Sequence, residues 1–229
     1  MKTIIGAIVF IACMTVQPCP CLGEKAASSI KVRNVSFQSA HVRDVLETIA
    51  LHHHIVIGLY GSSTDPNVIN DTVDITVAKG TVKDILDALV KAKPQYTWRQ
   101  DSGLVSVYVG TPLSLLNLEI KSLDATDIKR SEVTGEIFQH LPEVKAWLQE
   151  NSCQLLGHED LVGMRDPGYV EDQAGFTFHF RNEPLRSILS QIAHREGAYF
   201  WYVVREDSSS GSCGILVHLE HHVFSRRKP

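Results

Sequence analysis

Val73, Ile75 and Val77 alternate with polar neighbours, and Val82, Ile85, Leu86 and Leu89 then recur at helical spacing with Lys83, Asp84, Asp87 and Lys91 between them. Alternation marks a strand with one buried face, and the stripe marks a helix with one buried side. Thr81 stands at the helix start, with Asp84 three residues on as an acidic partner for the first-turn amides. Pro94 stops the helix. Tyr96 and Trp98 then open a second alternating strand, and Asp101 to Gly103 make a turn before Leu104, Val105, Val107 and Val109. The order is strand, helix, strand, returning strand.

The same pattern returns at a constant offset of 103 residues over about 27 residues from Val73 and Phe176: Ile85 falls on Ile188, Leu86 on Leu189, Tyr96 on Tyr199 and Trp98 on Trp201. A weaker copy lies 40 residues earlier, with Val35, Phe37, Val45, Leu46 and Ile49 in the places of Ile75, Val77, Ile85, Leu86 and Leu89. Repetition at fixed spacing records one fold used more than once. In the later copy Pro184 is expected in the first helical turn, where its missing amide hydrogen does no harm. Gly197 ends that helix. The stretch Ser208 to Ser212 lengthens the hairpin loop.

The remaining segments complete two larger units. Ile30 to Phe37 reads as a strand, Val42 to Ala50 as a helix and Ile55 to Leu59 as a strand. Leu116 to Ile120 is expected to open the second half, followed by a helical stretch from Glu132 to Asn151 that Pro142 kinks or divides. Gln154 to Leu156 is expected as a strand, and the long polar loop from Gly157 to Gly175 as an excursion or a partner surface. The chain is thus read as α+β: two small domains, 28–110 and 113–222, each of repeated strand-helix-strand halves with mixed sheets packed on two helices. Gly110 to Pro112 forms the boundary.

Laid out in this order, the chain resembles the short N-terminal domain shared by secretins and TonB-dependent receptors. The residues that carry the resemblance are Val35 to Phe37, Val42, Val45, Leu46 and Ile49, Ile55 to Ile57, Val73 to Val77, Val82 to Leu89, and Tyr96 to Val109. It covers about 80 residues of the first half, and in the second half it is clear from Phe176 to Leu219. The resemblance implies a periplasmic module that contacts other proteins. Transport and pore formation do not carry over with it.

Residues 1–23 read as a signal peptide: Lys2, then an apolar run from Ile4 to Ala12 that is shorter than the roughly 20 residues a bilayer requires. Cleavage before Glu24 is expected, with a lipid on Cys13 as the alternative. Export to the periplasm of a Gram-negative-type cell is the expectation, with an envelope protein as partner and the membrane reached through it. The formal charge is -4 without a basic stripe, which argues against nucleic acid. Residues 223–229 are a short basic tail. With the signal removed two cysteines remain, Cys153 and Cys213; they are a candidate disulfide in an oxidising compartment, or else two small buried apolar groups.

Histidines form the conspicuous polar clusters, His52, His53 and His54, and His218, His221 and His222. Imidazoles suit a transition metal, but neither cluster forms a helical HExxH motif, and adjacent side chains in an extended segment diverge. A polar helix end and a solvated tail are the ordinary readings. No nucleophile elbow, phosphate loop or dinucleotide fingerprint occurs, so neither an enzyme nor a cofactor is expected. The leading expectation is a non-enzymatic interaction or envelope-assembly module, and the alternative is a metal-binding or hydrolytic envelope protein using the histidines. Tyr96, Trp98, Tyr199 and Trp201 are candidate partner-facing aromatics.

Overall fold

The structure, a computed structural model, describes residues 26–63, 71–101, 103–128, 133–156, 175–207 and 212–219. The expected signal segment with Cys13, residues 157–174, His221, His222 and the basic tail lie outside the described residues. Among the described residues, no helix is long and apolar enough to cross a membrane.

The fold is α+β, with mixed sheets packed on helices. In the first half, β1 (Lys31–His41) leads into α1 (Val42–His53) and β2 (Val56–Ser63). β3 (Thr72–Thr81) leads into α2 (Val82–Ala92) and the hairpin of β4 (Tyr96–Asp101) and β5 (Leu104–Gly110). The helix start forms as expected: the Asp84 carboxylate accepts from the Thr81 backbone N–H at 2.7 Å. β1 and β3 pair antiparallel. Their inner residues Val32, Val73 and Ile75 bury against α1 and α2, whose other side lies on β2, β4 and β5.

The second half repeats the plan. β6 (Glu119–Ile128) pairs with β8 (Phe176–Pro184). α3 (Val133–Gly135) runs into a π-helical turn, Glu136–His140, before α4 (Pro142–Glu150), β7 (Cys153–Leu155), α5 (Leu185–Glu196), β9 (Phe200–Asp207) and β10 (Cys213–Leu219). Pro142 divides the helical stretch, with Leu141 extended just before it. The expected opening strand at Leu116 is displaced: Ser114–Asn117 is a short 3-10 turn that buries Leu115 and Leu116, and the strand starts at Glu119. Pro184 caps α5 rather than opening it, and Gly197 ends it with φ 70°, a left-handed conformation that costs glycine least.

Repetition alone predicts two separate domains, but the strands of both halves form one six-stranded sheet in the order β4-β5-β2-β9-β10-β7. The seam is a parallel ladder between β2 and β9, with Ile57 opposite Phe200 and Tyr60 opposite Val203. In each half a hairpin is followed by a parallel neighbour: β4, β5, β2, then β9, β10, β7. Because β9 runs with β2 and β4 runs against it, the second trio is inverted relative to the first. One half-turn about an axis across the strands, with an advance along the sheet, relates the two.

That inversion puts the two sets of helices on opposite faces. Ile57, Leu59, Val105, Val107, Phe200, Tyr202 and Val204 join the core under α1 and α2. Tyr60, Trp201, Val203, Ile215, Val217 and Leu219 join the core under α3, α4 and α5. α1 reaches across the seam onto β9, and α5 reaches back onto β2. β9 is therefore apolar on both faces, burying five consecutive residues from Phe200 to Val204. A strand covered on both sides carries a continuous apolar run in place of alternation.

Candidate functional site

Of the four candidate aromatics, the structure buries two. Tyr96 is 1% exposed and directs its hydroxyl to the Asp71 carboxylate at 3.3 Å, where Gln95 Nε2 (2.8 Å) and Lys93 Nζ (3.2 Å) also donate. Trp201 is 0% exposed. Both are core residues, since the sheet face that each occupies is covered by a helix, and neither faces a partner. Trp98 and Tyr199 are half-buried and remain available.

Trp98 and Trp201 are held alike. Trp98 Nε1 donates to Asp87 Oδ1 at 2.9 Å, and Trp201 Nε1 donates to Ser190 Oγ at 3.2 Å. Asp87 and Ser190 are equivalent positions of the repeat, so the same bond joins helix to strand in both halves. Their surroundings differ. Trp201 lies against β2, where it stacks on Tyr60 with ring centroids 6.1 Å apart, and Tyr60 stacks on Tyr108 at 5.9 Å. Trp98 lies at the outer strand of the sheet with the Lys83 ammonium 5.9 Å from its ring centroid. Lys83 also pairs with Asp87. Its hydrogen bond holds the Asp87 carboxyl below the usual carboxylate range, with the Trp98 indole N–H adding in the same direction.

β4 is one end of the sheet, and among the described residues no strand pairs with its outer side. Its face away from α2 carries Thr97, Arg99 and Asp101, all exposed. Polar side chains of this kind blunt a sheet edge against indiscriminate pairing. β7 forms the other end, paired with β10 over three residues. There Cys153 and Cys213 are neighbours across the parallel ladder and form a disulfide, with Cα atoms 4.4 Å apart.

Among the described residues, the candidate histidines do not converge. His52 and His53 finish α1 and His54 caps it in a left-handed conformation, φ 52°. His53 is pushed below its ordinary value by burial, and the neighbouring His52 and His54 add to this. His54 packs edge-on to Tyr199, with centroids 5.2 Å apart, and His194 from α5 packs on the same ring at 5.6 Å. His218 stacks on Tyr202 at 5.1 Å. Among the described residues, no group of three His, Cys, Asp or Glu side chains is arranged to hold a metal ion.

Sequence reasoning missed the partners of these groups: Asp71 beneath Tyr96, His194 beside Tyr199, and Gly58 beneath Trp201. The signal for the indole bonds was present, because the offset that matches Trp98 to Trp201 also matches Asp87 to Ser190. No family model matches the chain, and neither a curated protein nor a solved structure does.

Proposed function

We propose that this protein is a non-enzymatic periplasmic interaction module that acts in envelope assembly, built of two units resembling the short N-terminal domain of secretins and TonB-dependent receptors. The observation that carries this reading is the edge of the shared sheet at β4, where a half-exposed Trp98 stands on a strand whose outer side pairs with no other strand among the described residues. An open edge offers main-chain hydrogen bonds to an extended partner, and a flanking aromatic supplies an anchor. Each half runs strand, helix, strand and then strand, helix, hairpin, the order on which the resemblance rests. The Cys153–Cys213 bridge suits an oxidising compartment.

The test uses the chain from Glu24 with a photo-crosslinking residue at exposed positions of the sheet edges and outer strands, exposed to envelope extract of its source. Capture of one envelope protein at a defined set of positions is the expected result. A chain that captures none at any position, but purifies with stoichiometric metal lost on replacing His52, His53 and His54, would move the function to the histidines.

A further inference from the structure

β4 and β9 are the same strand of the repeat in two situations. β9 has a neighbour: β2 runs parallel to it, with Gly58 opposite Trp201. A Cβ at Gly58 would lie 2.3 Å from the indole, so the Trp201 ring lies over the adjoining strand and leaves room there for a hydrogen alone. Trp98 makes the same helix bond from the equivalent position, which gives its ring the same heading. That heading is toward the open side of β4. The backbone agrees. Ile57 N–H bonds to the Tyr199 carbonyl at 2.8 Å, so alternation turns the peptide groups of Trp201 to β2, and those of Trp98 to the open side.

We propose that the open edge of β4 receives an extended segment of another protein as an added parallel strand, with a glycine beneath Trp98 followed by an acidic residue beside Arg99. The glycine follows from the seam, where Gly58 is what the equivalent indole covers. The acidic residue follows from the register. Leu59, one residue after Gly58, opposes Tyr202, and Arg99 occupies the position of Tyr202 in the outer strand. Phe200, Tyr202 and Val204 are buried under the first half, whereas Thr97, Arg99 and Asp101 are exposed. A segment as apolar as β2 would leave its side chains in water on that face, so the partner's strand alternates polar with apolar. A second copy of this chain is a poor occupant: its own strand for the role is β2, already paired on both sides by β5 and β9. The proposal rests on the interaction-module reading and adds to it the edge and the partner's chemistry.

The probe is a fluorescein-labelled synthetic peptide, Ser-Val-Thr-Gly-Glu-Tyr-Thr-Val, titrated with the chain from Glu24 and followed by anisotropy. Saturable binding is expected. Changing the peptide glycine to alanine weakens it by about tenfold or more, because the methyl meets the indole. Changing the glutamate to lysine weakens it likewise, and Arg99→Glu in the protein restores that peptide. Equal binding of the glycine and alanine peptides, no charge swap, or no saturable binding below about 1 mM overturns the proposal. A crosslinking residue at Thr97, or at Thr76 on the far layer, separates this from failure of the broader reading. Capture at Thr97 that the peptide competes away supports the edge. Capture at Thr76 and not at Thr97 overturns the edge and leaves the interaction reading standing, whereas no capture at either position removes both. Capture of a second copy at Thr97 overturns the stated partner chemistry.

Discussion

Replacing Gly58 with alanine places a methyl group where the seam has no space for one. The new Cβ would lie 2.3, 2.6 and 2.7 Å from Cζ2, Cε2 and Cη2 of Trp201. The indole cannot swing aside freely, since its N–H is bonded to Ser190 Oγ and its plane lies within 8° of the Tyr60 ring against which it stacks. Overpacking of a rigid core costs about 1–3 kcal/mol, and the alanine regains about 0.4–1 kcal/mol by restricting the unfolded chain. The net loss is about 1.5 kcal/mol, which for a chain of this size lowers Tm by about 3–6 °C. Urea denaturation followed by circular dichroism, on Gly58→Ala, Trp201→Phe and the double variant, measures it. The smaller phenyl ring makes room for the methyl, so the two changes should couple favourably by about 0.5–3 kcal/mol. A Gly58→Ala protein as stable as its parent, or two costs that simply add, would show that the indole does not lie on β2 and that the seam is drawn wrongly.

Three further outcomes are expected. Replacing both Cys153 and Cys213 with alanine opens a loop closed over a separation of 60 residues, with a loss of about 2–4 kcal/mol by denaturant titration; an unchanged midpoint would mean that the bridge does not constrain the unfolded chain. Asp71→Ala removes the carboxylate that accepts from the buried Tyr96 hydroxyl and should cost about 0.5–1.5 kcal/mol, with Asp71→Asn milder because it keeps an oxygen there; equal losses would rule out the hydrogen bond as the cause. The folded-state pKa of His53 is depressed below its ordinary 6.5, so its contribution is complete above that value and is lost as pH falls through the folded pKa. Stability measured from about pH 7.5 down to pH 5 should therefore fall less steeply in His53→Gln than in the parent, and parallel curves would remove His53 from the account.

Strand and helix positions were legible wherever the period was unambiguous. Val73 to Val77 and Val82 to Leu89 fold as their spacing predicts, because each exposes one face and buries the other. The Thr81 and Asp84 contact at the start of α2 was also readable, since it depends on residues three apart. What escaped was long-range. Pairing of β2 with β9 joins segments from opposite halves, and local pattern says nothing about which edges meet. One clue was present: Phe200 to Val204 is apolar without interruption, the mark of a strand covered on both faces, while its counterpart Thr97 to Asp101 is mostly polar. Reading Tyr199 and Trp201 as an alternating pair obscured this. Displacement of the opening strand from Leu116 to Glu119 has a similar origin, because Leu115, Leu116 and Ile120 are all buried and apolarity alone does not distinguish a turn from a strand. The candidate site was half legible: the indoles were found, but which of them is covered depends on the seam.

The seam also orders events as the chain is made. Domains fold from the N-terminus as synthesis proceeds, and the first half holds every strand of its own except the one that closes the far side of β2. Until β9 emerges, β2 has a bare side, and Leu59 lacks the cover of Tyr202. When β9 does arrive, its run from Phe200 to Val204 needs cover on both faces and finds one side of its place already built. A first half that has folded would thus offer the second a ready strand, and a chain released before Phe200 would carry the β9 side of β2 uncapped. Quality control acting on such fragments would recognise the vacancy at β2.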